Sequence, residues 1–452
     1  MTVTEVRDPA TEAVIERVPA ADVAAADAAV ERAAAAFEGW RAVAPADRAR
    51  LLRRLADRLD AEREALARLE MRNTGKPIGD ARAEMGMVAE TFAYYAGAPE
   101  RLLGDTIPVA GGVDLTFREP LGVVGLIVPW NFPLVIASWK LAPALAAGNT
   151  VVLKPAELTP LTALAFARLA AEAGIPPGVV NVLPGPGRMV GQRLVEHDRV
   201  AKIAFTGSTE VGRSIMRGAA GTVKRVTLEL GGKSANVVFA DADLPAAAAA
   251  APAAVFGNAG QDCCARSRIL VERPALDEFL ALLEPAVRGL RVGDPAEEST
   301  EMGPLISAGQ REQVASFVPE GTPVAIRGSV PDGPGWWYPP TVLTSVAPGD
   351  RAATEEIFGP VAVVLPFVGE AEAVRLANAT IYGLSGSVWT RDAARALRVA
   401  RAIDTGTLSV NSNTSVRVAT PFGGFKQSGV GRELGPHALD HYTELKNVFI
   451  AT

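Results

Sequence analysis

From Leu121 onward, short apolar runs rich in β-branched residues alternate with helix-forming stretches, and this alternation constrains the fold more than any other feature. Residues 121–128, 150–153, 179–183, 202–205 and 226–228 read as strands, with helices expected over 137–147, 160–174, 189–196 and 209–219. Strand and helix in turn require right-handed crossovers and a mostly parallel sheet. A second series follows, with strands at 235–239, 268–271 and 362–366 and helices that include 275–289 and 371–377. The change-over falls near Leu230-Gly-Gly-Lys233. The expected fold class is therefore α/β, two doubly wound lobes, which also suits a chain of 452 residues that is too long for one core.

Two helices are expected ahead of the first lobe. Residues 23–44 are alanine-rich and amphipathic, and residues 47–73 carry a leucine stripe that Gly75 closes. Residues 107–120 differ in texture, because side chains alternate around Gly111-Gly112 as in a β-hairpin. An arm of that kind outside two lobes suggests pairing with another subunit.

Charge and rare residues exclude several function classes. The net charge is −6 with acids and bases interspersed, so neither a nucleic-acid patch nor a polybasic membrane surface is present. No apolar run is long enough to span a bilayer, and the first residues do not read as a signal peptide. Two cysteines do not make a disulfide framework, so a reducing, cytoplasmic setting is expected. The three histidines, His197, His437 and His441, lie in no motif, so no metal site is expected and any general base must be something else.

The chemistry gathers in a few segments. Phe256-Gly-Asn-Ala-Gly-Gln-Asp-Cys-Cys-Ala-Arg-Ser-Arg268 places Cys263 and Cys264 in a small-residue loop between a helix and a strand. Such a loop can display a nucleophile, although a free cysteine is most often a small buried apolar residue. Pro129-Trp-Asn-Phe-Pro133 follows a strand, and Asn131 suits either an oxyanion donor or a helix cap. Lys154-Pro-Ala-Glu157 puts a cation and an acid at a strand end, where a carboxylate can hold ribose hydroxyls or merely pair with the lysine. Phe205-Thr-Gly-Ser-Thr-Glu-Val-Gly212 could hold a pyrophosphate at a helix start, and Gly185-Pro-Gly187 is a weaker glycine turn. Gly231-Gly-Lys-Ser234 fails as a nucleotide-triphosphatase loop because it leads into a strand. Glu229, in apolar surroundings, is either a base of raised pKa or a satisfied structural carboxylate.

Together these segments, with Glu355-Glu-Ile-Phe-Gly-Pro360 and Pro421-Phe-Gly-Gly-Phe-Lys-Gln-Ser-Gly429, resemble the NAD(P)-dependent aldehyde dehydrogenase superfamily over nearly the whole chain. The resemblance implies Cys263 as nucleophile, Asn131 with the Cys263 backbone N–H as oxyanion donors, Glu229 as hydrolytic base, and Lys140 with Glu433 as a proton relay. It implies NAD as cofactor, favoured over NADP by Glu157. Ile127, Pro129, Trp130, Lys154, Glu157, Gly187, Phe205, Gly207, Ser208, Leu230, Glu356 and Phe358 would contact it. The aldehyde funnel would be lined by Phe132, Trp139, Asp262, Cys264, Val416 and Phe422. Residues 1–102 and 121–229 would form the NAD-binding domain, 230–430 the catalytic domain, and 103–120 with 431–452 an arm that builds a homodimer or homotetramer.

Asp262 before the nucleophile looks like members acting on 4-aminobutyraldehyde or betaine aldehyde; the alternatives are a broad-specificity enzyme or a CoA-acylating one, and Glu229 argues against the latter. A Cys-dependent hydrolase without cofactor, or a non-catalytic protein on this fold, would leave Glu157, Glu356 or the Cys263–Glu229 pair unexplained. Two departures from the resemblance are expected to alter stability or assembly rather than the site. The sequence opens without the extra strand segment many members carry before Asp8, and residues 318–323 stand where a longer helix is usual.

Overall fold

A computed structural model describes residues 2–414 and 416–452. Its first sheet runs in the order Gly429–Val430, Arg225–Glu229, Val200–Thr206, Val123–Ile127, Thr150–Lys154, Val180–Val182. All neighbours pair in parallel except the two-residue edge strand Gly429–Val430, which reaches back from the far end of the chain. Both faces of this sheet are covered, as its near-continuous apolar strands require. Val124, Leu126, Val151 and Leu153 face one apolar cluster, while Val123, Ile127, Val152, Ile203 and Phe205 face another. The strand order reverses between Val123–Ile127 and Val200–Thr206, and the carboxyl ends of those strands open the crevice where ligands of such sheets bind.

The second sheet is ordered Ile326–Arg327, Thr341–Leu343, Val361–Phe367, Arg268–Glu272, Ala235–Val238, Ser385–Trp389, Thr407–Val410, parallel except at its first strand. Ser428 latches the two lobes: its carbonyl accepts from Leu230 N at 2.8 Å, and its hydroxyl donates to Gly231 O at 2.7 Å. A third sheet joins Thr106–Val109 and Gly112–Pro120 to Thr443–Ala451. No helix among the described residues is long and apolar enough to cross a membrane.

Three expectations change in detail. The single helix expected over 47–73 is two, Pro45–Ala61 and Arg63–Thr74, broken at Glu62, whose φ of −94° and ψ of 8° leave the helical range. The leucine stripe continues across the break, which is why periodicity alone does not reveal it. Gly75 does end the second helix, in the left-handed conformation at φ +79°. A strand, Val3–Arg7, does precede Asp8 and pairs with Val14–Pro19. The helix expected from Met189 is regular only over Gln192–Glu196, because Gly187–Gly191 forms a wider π turn.

Candidate active site

The crevice at the strand ends holds a cavity of about 230 Å³. Pro129, Trp130 and Asn131 enter it from Val123–Ile127; Thr206, Gly207 and Ser208 from Val200–Thr206; and Leu230 and Gly231 from Arg225–Glu229. The second lobe closes it with Cys263, Gln310, Gln313, Glu356 and Phe358. Three consecutive parallel strands thus present their loops to the same thiol.

The loop bearing that thiol is held in a form few sequences adopt. Asn258, Ala259 and Gly260 are all left-handed, at φ +50°, +54° and +69°, a strained run that must be over-determined by its surroundings. The bonds that determine it are visible. Asn131 Nδ2 donates to Gln261 O at 2.9 Å, and Asn258 Nδ2 donates to Asn131 O at 3.1 Å. Gln261 Nε2 donates to Asn258 O at 3.1 Å, while Gln261 Oε1 accepts from Ile306 N at 2.8 Å. Cys263 is half-buried and lines the cavity, whereas Cys264 is buried in the apolar core. Asp262 Oδ1 accepts from Cys264 N at 2.8 Å, and the ligand atoms of Asp262, Cys263 and Cys264 lie within 4.8 Å of one another. Contact with Cys264, burial, and the nearby carboxylates of Asp262 and Glu356 push the Cys263 thiol up from its ordinary pKa.

Glu229 ends its strand as a buried carboxylate whose Oε2 has no hydrogen-bond partner. Burial, then the negative charge of Glu433, raises its pKa well above the carboxylate range, against the opposing charge of Lys140. Gly423 is what lets it fit, since a Cβ there would lie 2.7 Å from Glu229 Oε1. Lys140 and Glu433 form a fully buried ion pair, and Lys140 Nζ also donates to Thr206 Oγ1 at 2.7 Å. The half-buried Cys263 and the anchored Asn131 therefore line one strand-end crevice, and the buried Glu229 carboxylate immediately precedes Leu230 and Gly231 in its wall. A sequence model of the aldehyde dehydrogenase family matches residues 1–448.

The chain belongs to the aldehyde dehydrogenase family.

An aldehyde dehydrogenase of Emericella nidulans is 44% identical over 451 residues, covering 98% of this chain and 91% of that one. The solved NAD⁺ complex of the Bacillus cereus aldehyde dehydrogenase superposes with a TM-score of 0.97 at 44% identity, over 100% of this chain and 93% of that one. Betaine aldehyde dehydrogenase of Staphylococcus aureus, solved in complex with NAD⁺, gives 0.97 at 39% identity over 99% and 91%.

The remaining residues expected from the family likeness fall in two places. Glu356 Oε1 accepts from Gly232 N at 2.9 Å, and burial raises its carboxyl to about 7. Phe358 sits at φ +56° with its ring edge-on to Trp130 at 5.2 Å, and Gln310 Nε2 donates to its carbonyl at 2.8 Å. One strand away, outside the cavity wall, Lys154 is buried at a strand end and its amine is pushed down by that burial, while Glu157 beside it is exposed. Gly187 adjoins Lys154, whose Nζ would stand in ordinary contact, 3.8 Å, from a Cβ there. Ile127 and Phe205 are buried in the cluster under these loops, and the Phe205 ring packs on Gly207.

Trp139 and Phe422 pack at 5.2 Å, and Phe132 and Val416 lie half-buried at the edge of the same apolar cluster. The backbones of Phe422 and Glu433 exchange two 2.7 Å bonds, so one antiparallel bridge carries both this aromatic pair and the buried ion pair. Thr206, Gln310, Gln313 and Lys76 were not expected at the site. Thr206 stands inside the Phe205–Gly212 motif and could have been singled out there. The others are brought in by tertiary packing alone and have no local signal.

Proposed function

We propose that the chain oxidises an aldehyde to its carboxylic acid with NAD⁺, through a covalent intermediate on Cys263. The observation that carries this reading is the buried Glu229 carboxylate, its Oε2 without a hydrogen-bond partner, at the end of the strand whose next residues, Leu230 and Gly231, line the cavity together with the half-buried Cys263. A covalent thioester needs such a base for its hydrolysis, and a CoA-acylating or purely structural protein has no use for it. Residues 1–102 and 121–229 would hold the cofactor and 230–430 the substrate chemistry.

The crevice suits a dinucleotide. The helix Thr209–Ala220 starts at Ser208, with its N-terminus beside the cavity, where a pyrophosphate is favoured. Exposed Glu157 would accept ribose hydroxyls and repel a 2′-phosphate, favouring NAD⁺ over NADP⁺. When bound, the nicotinamide accepts the hydride that leaves the substrate carbon.

Cys263, once deprotonated, attacks the aldehyde carbon to give a thiohemiacetal. Asn131 Nδ2 carries two protons; Gln261 O takes one, which aims the other at the developing oxyanion together with the Cys263 N–H. After hydride loss the carbon is a thioester to Cys263. Glu229 then removes a proton from water, the hydroxide adds to the thioester, and the tetrahedral adduct expels the Cys263 thiolate and the acid. The Glu433 carboxylate, held by the Lys140 ammonium, would take up the proton from Glu229 afterwards.

For the substrate, we favour a small aldehyde carrying a cationic amine or ammonium group, such as 4-aminobutyraldehyde or betaine aldehyde. Asp262 supplies a carboxylate beside the thiol, and Phe132, Trp139 and Phe422 supply aromatic faces. The bond from Cys264 N to Asp262 Oδ1 favours a second reading, a broad-specificity enzyme in which Asp262 only shapes the loop. Following NADH with a panel of cationic and neutral aldehydes separates the two. On the favoured reading Asp262→Ala raises KM about tenfold for betaine aldehyde, a partly desolvated ion contact, and leaves propanal unchanged. An equal rise for propanal refutes it, and no NADH from any aldehyde refutes the whole scheme.

We propose that the arm sheet mediates self-association and that the protein works in the cytoplasm. Thr443–Ala451 is an edge strand, and Phe117, Leu445, Phe449 and Ile450 are all exposed on the sheet it edges. An unprotected edge with apolar side chains is an assembly surface. Leu445→Arg with Phe449→Asp is expected to lower the mass seen by analytical ultracentrifugation from a dimer or tetramer to a monomer. An unchanged mass would rule this surface out.

A further inference from the structure

Lys76 is a fully buried ammonium group that none of the chemistry above uses. It follows the left-handed Gly75 between the helices Arg63–Thr74 and Ile78–Ala96. An ammonium has three N–H donors, and all three are accounted for. Glu84 Oε1 and Oε2 accept at 2.6 and 2.5 Å, and the backbone carbonyl of Asn131 accepts at 3.0 Å. That carbonyl's second lone pair takes Asn258 Nδ2, so it is saturated. Asn258 Nδ2 also reaches Gln261 O at 3.3 Å, the same carbonyl that Asn131 Nδ2 engages. The peptide plane and the side chain of Asn131 are thus fixed from two sides, by Lys76 from the helical layer and by Asn258 from the thiol loop. The Lys76 ammonium also stands 4.5 Å from the centre of the Phe132 ring, the next residue along. From the same helical layer, Glu70 accepts from Leu134 N at 3.2 Å.

We propose that Lys76 is a positioning residue for the oxyanion donor, holding Asn131 through its backbone carbonyl so that the side-chain amide meets the carbonyl oxygen of the substrate. The inference rests on the reading of Asn131 as that donor. A buried lysine–glutamate pair that merely ties two helices together would need no bond to Asn131, so the third N–H is the distinguishing contact. The effect is expected at the step in which negative charge forms on oxygen, because in this loop Lys76 touches Asn131 and Phe132 and not the cofactor contacts Pro129 and Trp130.

The test is a double-mutant cycle read by the rate of the first NADH burst and by the Kd for NAD⁺. Lys76→Met combined with Glu84→Gln removes both members of the pair, while the buried Glu70, whose carboxyl the Lys76 charge also stabilises, keeps its bonds to Leu134 N and Thr162 Oγ1. Expected is a burst slowed about 10- to 100-fold, as for a small misplacement of a catalytic group, with the Kd for NAD⁺ unchanged. In the Asn131→Ala background the same pair of substitutions is expected to slow the burst no further. Lys76→Arg keeps the charge and displaces the donor; it is expected to be slowed less, again only where Asn131 is present, and it carries the cycle alone if the double variant does not fold. Equal slowing in both backgrounds, a Kd for NAD⁺ that rises in step, or no slowing at all would overturn the proposal. A burst unaffected by Asn131→Ala would instead overturn the donor assignment, and this inference with it.

Discussion

Cys263→Ala is expected to lower aldehyde turnover by at least about 10,000-fold, the scale on which enzymes lose activity with their nucleophile, while Cys264→Ala keeps most of it. The two thiols are neighbours in sequence and differ in surroundings. Cys263 is half-buried on the cavity wall, whereas Cys264 is buried among core residues that include Trp139 and Phe422. Steady-state NADH production with either variant decides the matter, and the reverse outcome would move the nucleophile by one residue. Mass spectrometry of protein quenched during turnover adds a second reading, since the acyl adduct should sit on Cys263 alone.

Replacing Glu229 by Gln should separate the two halves of the reaction. With the base gone, the thioester still forms and NADH still appears as one rapid burst per site, but turnover slows by about 100- to 10,000-fold, the usual reach of general base catalysis. The pH profile carries an independent mark. A base at Glu229 would act only when deprotonated, and burial followed by the charge of Glu433 raises its pKa in the folded protein. Hydrolysis therefore rises with pH through a midpoint above the ordinary carboxylate value of about 4.3, and that limb should vanish in Glu229→Gln. A limb at the ordinary value, or one that survives the substitution, would show that another group limits the rate.

Much of this arrangement is legible in the amino-acid order because local rules and the fold agree. Five strands of the first sheet and three of the second, Ala235–Val238, Arg268–Glu272 and Val361–Phe367, announce themselves as short apolar runs and pair in parallel as the helices between them require, whereas short strands such as Thr341–Leu343 and Ser385–Trp389 give no such signal. What resists reading is what depends on meetings between distant segments. The break at Glu62 is invisible because the leucine stripe runs through it. Lys76, Gln310 and Gln313 become site residues only once helices and strands are packed. Lys140 is a lysine inside an otherwise apolar helix, a local anomaly that is explained only when Glu433, 293 positions away, arrives to pair with it. Glu229 is the opposite case: its apolar neighbours in sequence already foretell the burial that raises its pKa.

The segment from Phe422 to Glu433 supplies the edge strand of the first sheet, the Ser428 latch, the glycine that admits Glu229 and the partner of Lys140. All of it is translated after every other strand of both lobes. A ribosome that has passed Val410 has already made Lys140, Glu229 and Cys263, yet the nascent chain must wait with the lysine charge unmatched. Removing one partner of a buried ion pair costs about 3–5 kcal/mol, so the first lobe is not free to settle early around a finished catalytic centre. Prematurely terminated chains keep that defect for good, which exposes them to proteolysis before they can hold a reactive thiol in working order.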